Sequence, residues 1–392
     1  AAFDRMVAAG LDPLADDPSE YADHHLEYDA RKRVVMHGLR GGREIYSYSY
    51  AANSAPPPSA DDHNAWRTRT IVTRPDGSTL TAYTSFAGRT MLTVLLPAQG
   101  GSPSSSSSSL GGGLPAGWFT AATYDGQGRA ILVASSAAVA SINEADATLF
   151  TLKEASGPVR QNTWIGSGAA AGMLQSRQLL DGTSGTAARV KLMERTYTER
   201  TAGGATIARV ASETVYRGEA ATGADGCTTT FAYEWHGTTF QPSKITTTPP
   251  VVPVGENGTG GTYTREQVFD TAGRNTWTRD ETGSITRTTY VGLTGAMLER
   301  IDDFNTTGAT GVPSGWSSSN GLNLVNDFQS DLMGRITQEL GPPHVVDIDG
   351  TAVTVRTARF TVYRCDLHET WTAAGYAAGT PGYDYTTVGP VS

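Results

Sequence analysis

The sequence predicts an all-β protein: antiparallel β-hairpin repeats in a long spiralling sheet, interrupted by loop insertions. Three observations carry that expectation. The 392-residue chain holds 45 Gly together with 16 Tyr, 10 Phe and 7 Trp spread along its length, a mixture of turn formers and residues that favour pleated, half-buried surfaces. A short turn motif recurs from one end of the chain to the other. Between its copies, aromatic or apolar residues alternate with polar ones, the period-two pattern of strands.

The motif is fullest at Tyr124-Asp125-Gly126-Gln127-Gly128-Arg129. Phe269, Asp270, Gly273 and Arg274 repeat it, and Asp331, Gly334 and Arg335 keep it with Ser330 in the aromatic position. Tyr28, Asp29 and Arg33 keep it with Lys32 in place of the glycine. Gly88 and Arg89 follow Ser85 in the aspartate position, with the aromatic one place early at Tyr83. Gly295 marks a copy without the arginine. Each position has a physical task. The aspartate accepts backbone N–H groups two residues on, and the glycine takes positive φ to close a type I turn with a bulge. The arginine, opening the outgoing strand, is expected to lie over the aromatic that ends the incoming one, across the same turn. A lone Gly126-x-Gly128 lacks the third glycine and the helix of a dinucleotide loop, and no Gly-Lys-Ser/Thr occurs.

The strands between turns follow the same logic. Residues 44–50 (EIYSYSY), 231–246 and 360–372 alternate in period two. Residues 74–89 place a Pro-Asp-Gly turn, a strand from Ser78 to Tyr83, and the next turn; residues 279–295 repeat that layout with Gly283, a strand Ser284–Tyr290 and Gly295. The recurring arginines are unevenly spaced, which insertions explain: 97–117 is a Gly/Ser-rich loop, and 248–261 and 305–321 have loop compositions. These excursions leave a single repeat region, 1–392, expected to be part of a longer chain. Residues 135–150 and 167–180 carry helix formers, and small helices within insertions fit them.

Composition excludes several functions. With 30 Lys+Arg against 39 Asp+Glu the formal charge is −9, a poor basis for neutralising nucleic-acid phosphates. No apolar run approaches the ~18–20 residues of a membrane span. Cys227 and Cys365 show no metal spacing; one bridge or two separate thiols both fit the count. The acidic pairs Asp280/Glu281, Asp302/Asp303 and Asp347/Asp349 invite a two-carboxylate reading, but strand neighbours point to opposite faces and only Asp347 and Asp349 would share one. The seven histidines lack an HExxH spacing, and no Gly-x-Ser-x-Gly sits in a strand-to-helix context. No enzyme, cofactor or metal is expected.

The [Tyr/Phe]-Asp-x-x-Gly-Arg beat, preceded by Asp-Gly and a Thr/Tyr alternating strand, resembles the YD repeat of the RHS family: bacterial polymorphic toxins, shells of insecticidal toxin complexes and teneurin-like cell-surface proteins. The likeness covers most of residues 20–375 in patches. It implies a hollow β-shell and a structural role, encapsulating or displaying cargo such as a toxin domain, in a secreted or cell-surface protein. The family's Asp-Pro self-cleavage segment has no counterpart: Asp12-Pro13 and Asp17-Pro18 lack the surrounding pattern. An arc of a shell is expected, its open edges pairing with further repeats or other subunits. The competing reading is an adhesin that binds surface glycans through exposed aromatics.

Overall fold

The computed structural model describes residues 2–12, 19–53, 62–98, 117–184, 189–218, 226–378 and 388–390. It is 56% strand and 3% helix, and among the described residues 23 strands belong to one antiparallel sheet, with two more in a small ribbon. Most of the 97–117 insertion lies outside the described residues. By contacts the chain divides into two compact units.

The first unit comprises Ala1–Ser167, Ala171–Glu194 and Val215–Gly226. After a short helix α1 (Ala2–Ala8) come β1 (His24–Tyr28), β2 (Val34–Leu39), β3 (Glu44–Ala52), β4 (Trp66–Thr73), β5 (Thr79–Ser85), β6 (Thr90–Leu96), β7 (Trp118–Tyr124) and β8 (Ala130–Ser135). The chain then makes the ribbon β9 (Val139–Ile142) and β10 (Phe150–Leu152) before returning as β11 (Pro158–Trp164) and β12 (Leu174–Asp181). Each strand of the sheet pairs with the next in the chain, and β11 pairs back on β8, so the ribbon is an excursion from an otherwise simple meander. The ribbon lies on one face of the sheet. It buries Val139, Ile142, Leu149 and Phe150 against Trp66, Tyr83, Leu92, Val94 and Phe119, giving the sheet a second layer there.

The strand β13 (Arg189–Ala202) begins in the first unit and ends in the second. Apart from Val215, Tyr216 and Gly226, which fall in the first unit, the second unit continues with β14 (Ala205–Tyr216), β15 (Gly226–Trp235), β16 (Pro242–Thr248), β17 (Arg265–Phe269), β18 (Asn275–Arg279), β19 (Ile285–Tyr290) and β20 (Met297–Asp302). It closes with β21 (Leu324–Ser330), β22 (Ile336–Ile348), β23 (Thr351–Arg364), β24 (Glu369–Ala378) and β25 (Val388–Pro390). From β15 to β25 every strand pairs antiparallel with its successor. Its core is two small clusters. Trp277, Ile285, Ile301, Phe304 and Trp316 form one; Leu340, Ala358 and Ala377 form the other.

Two expectations are corrected. Residues 135–150 form a single 3-10 turn (Ser136–Ala138) and then the ribbon, and 167–180 end in the strand β12. Leu174, Ser176 and Leu180 turn inward from β12, and ladder pairing on both sides outweighs the weak helix preference of Ala, Leu and Gln. The 305–321 segment holds neither helix nor strand and supplies Trp316 to the core.

Candidate functional site

The recurring turns are the chemically distinctive feature of the molecule, and four of them are superimposable in their bonding. In each, the aspartate N–H donates to the arginine carbonyl four residues on, at 2.9–3.0 Å, and the residue before the arginine donates to the aspartate carbonyl. Aspartate Oδ1 accepts the N–H groups two and four residues on: Arg31 and Arg33 at Asp29, Gln127 and Arg129 at Asp125, Ala272 and Arg274 at Asp270, Met333 and Arg335 at Asp331. Oδ2 receives the arginine Nε at 2.7–2.8 Å and its Nη2 at 2.6–2.7 Å. One carboxylate therefore closes the turn and clamps the guanidinium at once. The bulge shows in the ladder as a register shift at the last strand residue. Gly128, Gly273 and Gly334 have φ of 73–82°, and Lys32 takes the same conformation at φ 60°.

The decayed copies lose parts of this device. Ser85 accepts only the Arg89 N–H, so Gly88 turns the chain while the guanidinium goes unclamped by that position. Gly295 belongs to a longer hairpin in which Val291 pairs with Ala296. Asp280, which sequence reasoning weighed as half of an acidic pair, closes a further turn with Gly283 and Ser284.

The arginines do not stack across their own turns. Arg33 lies over Tyr50 (4.3 Å), Arg129 over Trp164 (5.6 Å), Arg274 over Tyr290 (5.0 Å) and Arg335 over Tyr363 (4.2 Å). Each ring belongs to the next strand of the sheet. Its polar tip donates to the carbonyl of the residue after the arginine: Tyr50 to Val34, Trp164 to Ala130, Tyr290 to Asn275 and Tyr363 to Ile336. Tyr124 does the same for Thr90, after Arg89, and Tyr233 for Val210, after Arg209. The motif's tyrosine thus serves the preceding hairpin. An arginine clamped by its aspartate has a fixed guanidinium plane, and the neighbouring strand supplies the ring that covers it. Tyr28, with no preceding hairpin described, is exposed, and Phe269 has no hydroxyl to donate.

Electrostatics follow the clamps. At Asp125 and Asp270 partial burial works against ionisation, yet the hydrogen bonds from the arginine side chain and backbone N–H groups outweigh it and hold both carboxyls below the ordinary range. Asp29 is lowered by the Arg33 backbone and side-chain bonds, and Asp331 by the Arg335 side chain first.

Other polar clusters fasten covers or strands. Tyr83 donates to Glu144 Oε1 at 2.6 Å, and Arg69 Nη1 reaches both oxygens of Glu144 at 2.7–2.8 Å, tying the ribbon's turn to the sheet. Burial first, and then the Glu144 bond, push the Tyr83 hydroxyl pKa up. Glu266 is held by Lys244 and Arg279 across β16, β17 and β18. Asp302 accepts from Thr286 and Arg300, while Asp303 accepts from Leu322. Asp347 pairs opposite Ala352, but Asp349 lies in the β22–β23 turn at φ 53°, so the two do not line one strand face as expected. His24 and His37 meet across β1 and β2 at 3.1 Å. Cys227 and Cys365 are both free thiols, and Cys365 Sγ accepts from Arg335. Among the described residues no group of three metal-ligating side chains converges.

No family model matches the chain, and no curated protein matches it significantly. Solved structures that align include the crystal structure of TcdB2-TccC3, at 11% identity and TM-score 0.18 over 94% of this chain, and of TcdB2-TccC3-Cdc42, at 11% identity and TM-score 0.17. The chain spans 22% of the length of each. A porin-like protein from Bacteroides uniformis aligns at 10% identity and TM-score 0.21, over 86% of this chain and 97% of its own.

Proposed function

We propose that this chain is a YD-repeat shell segment, a structural wall that encloses or displays cargo for a secreted or cell-surface protein. The observation that supports it is the fourfold clamp, in which one aspartate closes a hairpin and hands its arginine to the next strand's ring. That device gives each hairpin a built-in joint to its successor. It suits a wall extended by repetition more than a site built once. The bound carboxylates of the acidic pairs agree with a structural role, since each already holds a turn or a strand. The test is protease protection on the native full-length polypeptide. Cargo flanking the repeats should resist digestion until the wall is unfolded, and cleavage at the rate of the isolated cargo would remove the proposal.

The adhesin reading has one observation in its favour. Trp118 stands exposed beside Thr120, Arg160 and Leu179 on the sheet surface, an aromatic platform of the kind on which sugar rings stack. A glycan array separates the two: binding abolished by Trp118→Ala would support it, and an empty array would discard it.

A further inference from the structure

In the second unit the meander places alternate turns at one end of the sheet: 270–274 between β17 and β18, 291–296 between β19 and β20, 331–335 between β21 and β22, and 365–368 between β23 and β24. Arginines pin these turns side by side. Arg274 Nη1 reaches the Val291 carbonyl and Arg335 Nη1 reaches Cys365 Sγ. The tips of three of them are apolar. Leu332 is 91% exposed, Leu293 88%, Met333 76% and Leu367 52%. Turn tips favour Gly, Asn, Asp and Ser, and the other copies of the same clamp carry polar or small residues there: Ala30-Arg31, Gly126-Gln127 and Thr271-Ala272. Four large apolar side chains, each more than half exposed and aligned on three adjacent tips, form a row that the fold itself does not need.

We propose that this row docks the protein on a zwitterionic lipid bilayer surface, with the Leu and Met tips seated among the acyl chains. Three features favour lipid over a protein groove. The tips are convex and separate, about two strand spacings (~9.5 Å) apart, so each would need its own pocket on a protein partner, whereas a bilayer yields to any shape. Behind the Leu367 tip, Val362 and Trp371 face each other across β23 and β24, both about half exposed. That puts an indole roughly 7–10 Å back from the tip at the strand rise of ~3.3 Å per residue, the depth of the headgroup boundary where Trp is favoured. The charges nearest the tips are paired or acidic: Asp331 is held by Arg335, Asp270 by Arg274 and Asp366 by Arg364, Glu369 accepts the Trp371 indole N–H, and no Lys follows Lys244. Attraction to anionic lipid is therefore absent, and insertion of apolar tips is left as the driving force.

The experiment uses the full chain with phosphatidylcholine vesicles, read by co-sedimentation and by quenching of tryptophan emission with brominated acyl chains. Binding should persist at high salt, and quenching should fall sharply in Trp371→Phe. Leu332→Gln, at a site that contacts almost nothing, should weaken binding about tenfold with an unchanged melting profile, and the set L293S/L332S/M333S/L367S should abolish it. No sedimentation with vesicles, or equal binding by Leu332→Gln, would overturn the proposal. So would concentration-dependent self-association lost in the same variants without vesicle binding, which would assign the row to a second copy of this chain.

Discussion

The two units use one repeat but cover it differently. In the first, the β9–β10 ribbon is pinned over the sheet: Trp66 donates its indole N–H to the Asp146 carbonyl and its backbone N–H to Ala147, while Glu144 is held by Arg69 and Tyr83. Fifteen buried residues, the ribbon's own Val139, Ile142, Leu149 and Phe150 among them, form one cluster there. In the second, the cover over Trp277 is a loop without strands, which contributes Phe304 edge-on to Trp277 at 5.2 Å and Trp316 under Arg279. A single sheet cannot bury both faces by itself. Each unit is stable where an excursion returns to lie on it, and the rigidity of that excursion sets how much a lost side chain costs.

That comparison breaks first at the tryptophans. Trp66→Ala should cost about 3–5 kcal/mol, since the pinned ribbon cannot settle into the void; Trp316→Ala should cost less, about 2–3 kcal/mol, because its loop can collapse. Urea unfolding followed by unit-specific fluorescence would check both, and equal losses would show that the two covers are equally rigid. Next in size is Glu144→Ala, which strands Arg69 and the Tyr83 hydroxyl in a largely buried setting and should cost about 2–3 kcal/mol. Hydrogen exchange should then rise in β9 and β10 well before β4 and β5.

The turns were legible in the sequence because everything they need is local. Asp at one position, Gly three later and Arg four later name the clamp almost completely, and Lys32 takes the glycine's conformation in its copy at φ 60°. What failed was longer in range. The ring partner of each arginine lies 16–35 residues downstream in Tyr50, Tyr290, Tyr363 and Trp164, and nothing local distinguishes it from the tyrosine beside the aspartate. The ribbon was missed for a similar reason: Ala-rich 135–150 reads as helix by propensity, whereas its conformation is decided by the sheet it covers. Glu144 carried no signal at all, since its partners Arg69 and Tyr83 stand far upstream.

The clamps respond to acid in a way that separates them from ordinary surface aspartates. Their carboxyls are depressed in the folded state, so their contribution is complete above the ordinary value of 3.8 and is lost as pH falls below it through the lower folded values. Asp270→Asn should cost about 1 kcal/mol at neutral pH, the solvent-screened end of the range for such bonds, and should flatten the acid limb of the stability profile. An acid limb as steep as that of the parent would mean that other carboxylates control it.

The smallest effect tests the turn itself. Lys32 holds φ 60° where the other three clamps have glycine, and an L side chain in that region costs roughly 1 kcal/mol. The hydrogen bonds of Asp29 go to backbone N–H groups and to Arg33, none of which involves the Lys32 side chain. Lys32→Gly therefore relieves strain without breaking a contact. Against that gain stands the extra freedom glycine confers on the unfolded chain. The net should be a stabilisation of about 0.5 kcal/mol, seen as a small upward shift in the melting of the first unit. Lys32→Ala isolates the backbone contribution: it keeps the strain, and it should leave that melting unchanged. If both substitutions shift the melting equally, the lysine side chain rather than its backbone conformation is what burdens this copy of the turn.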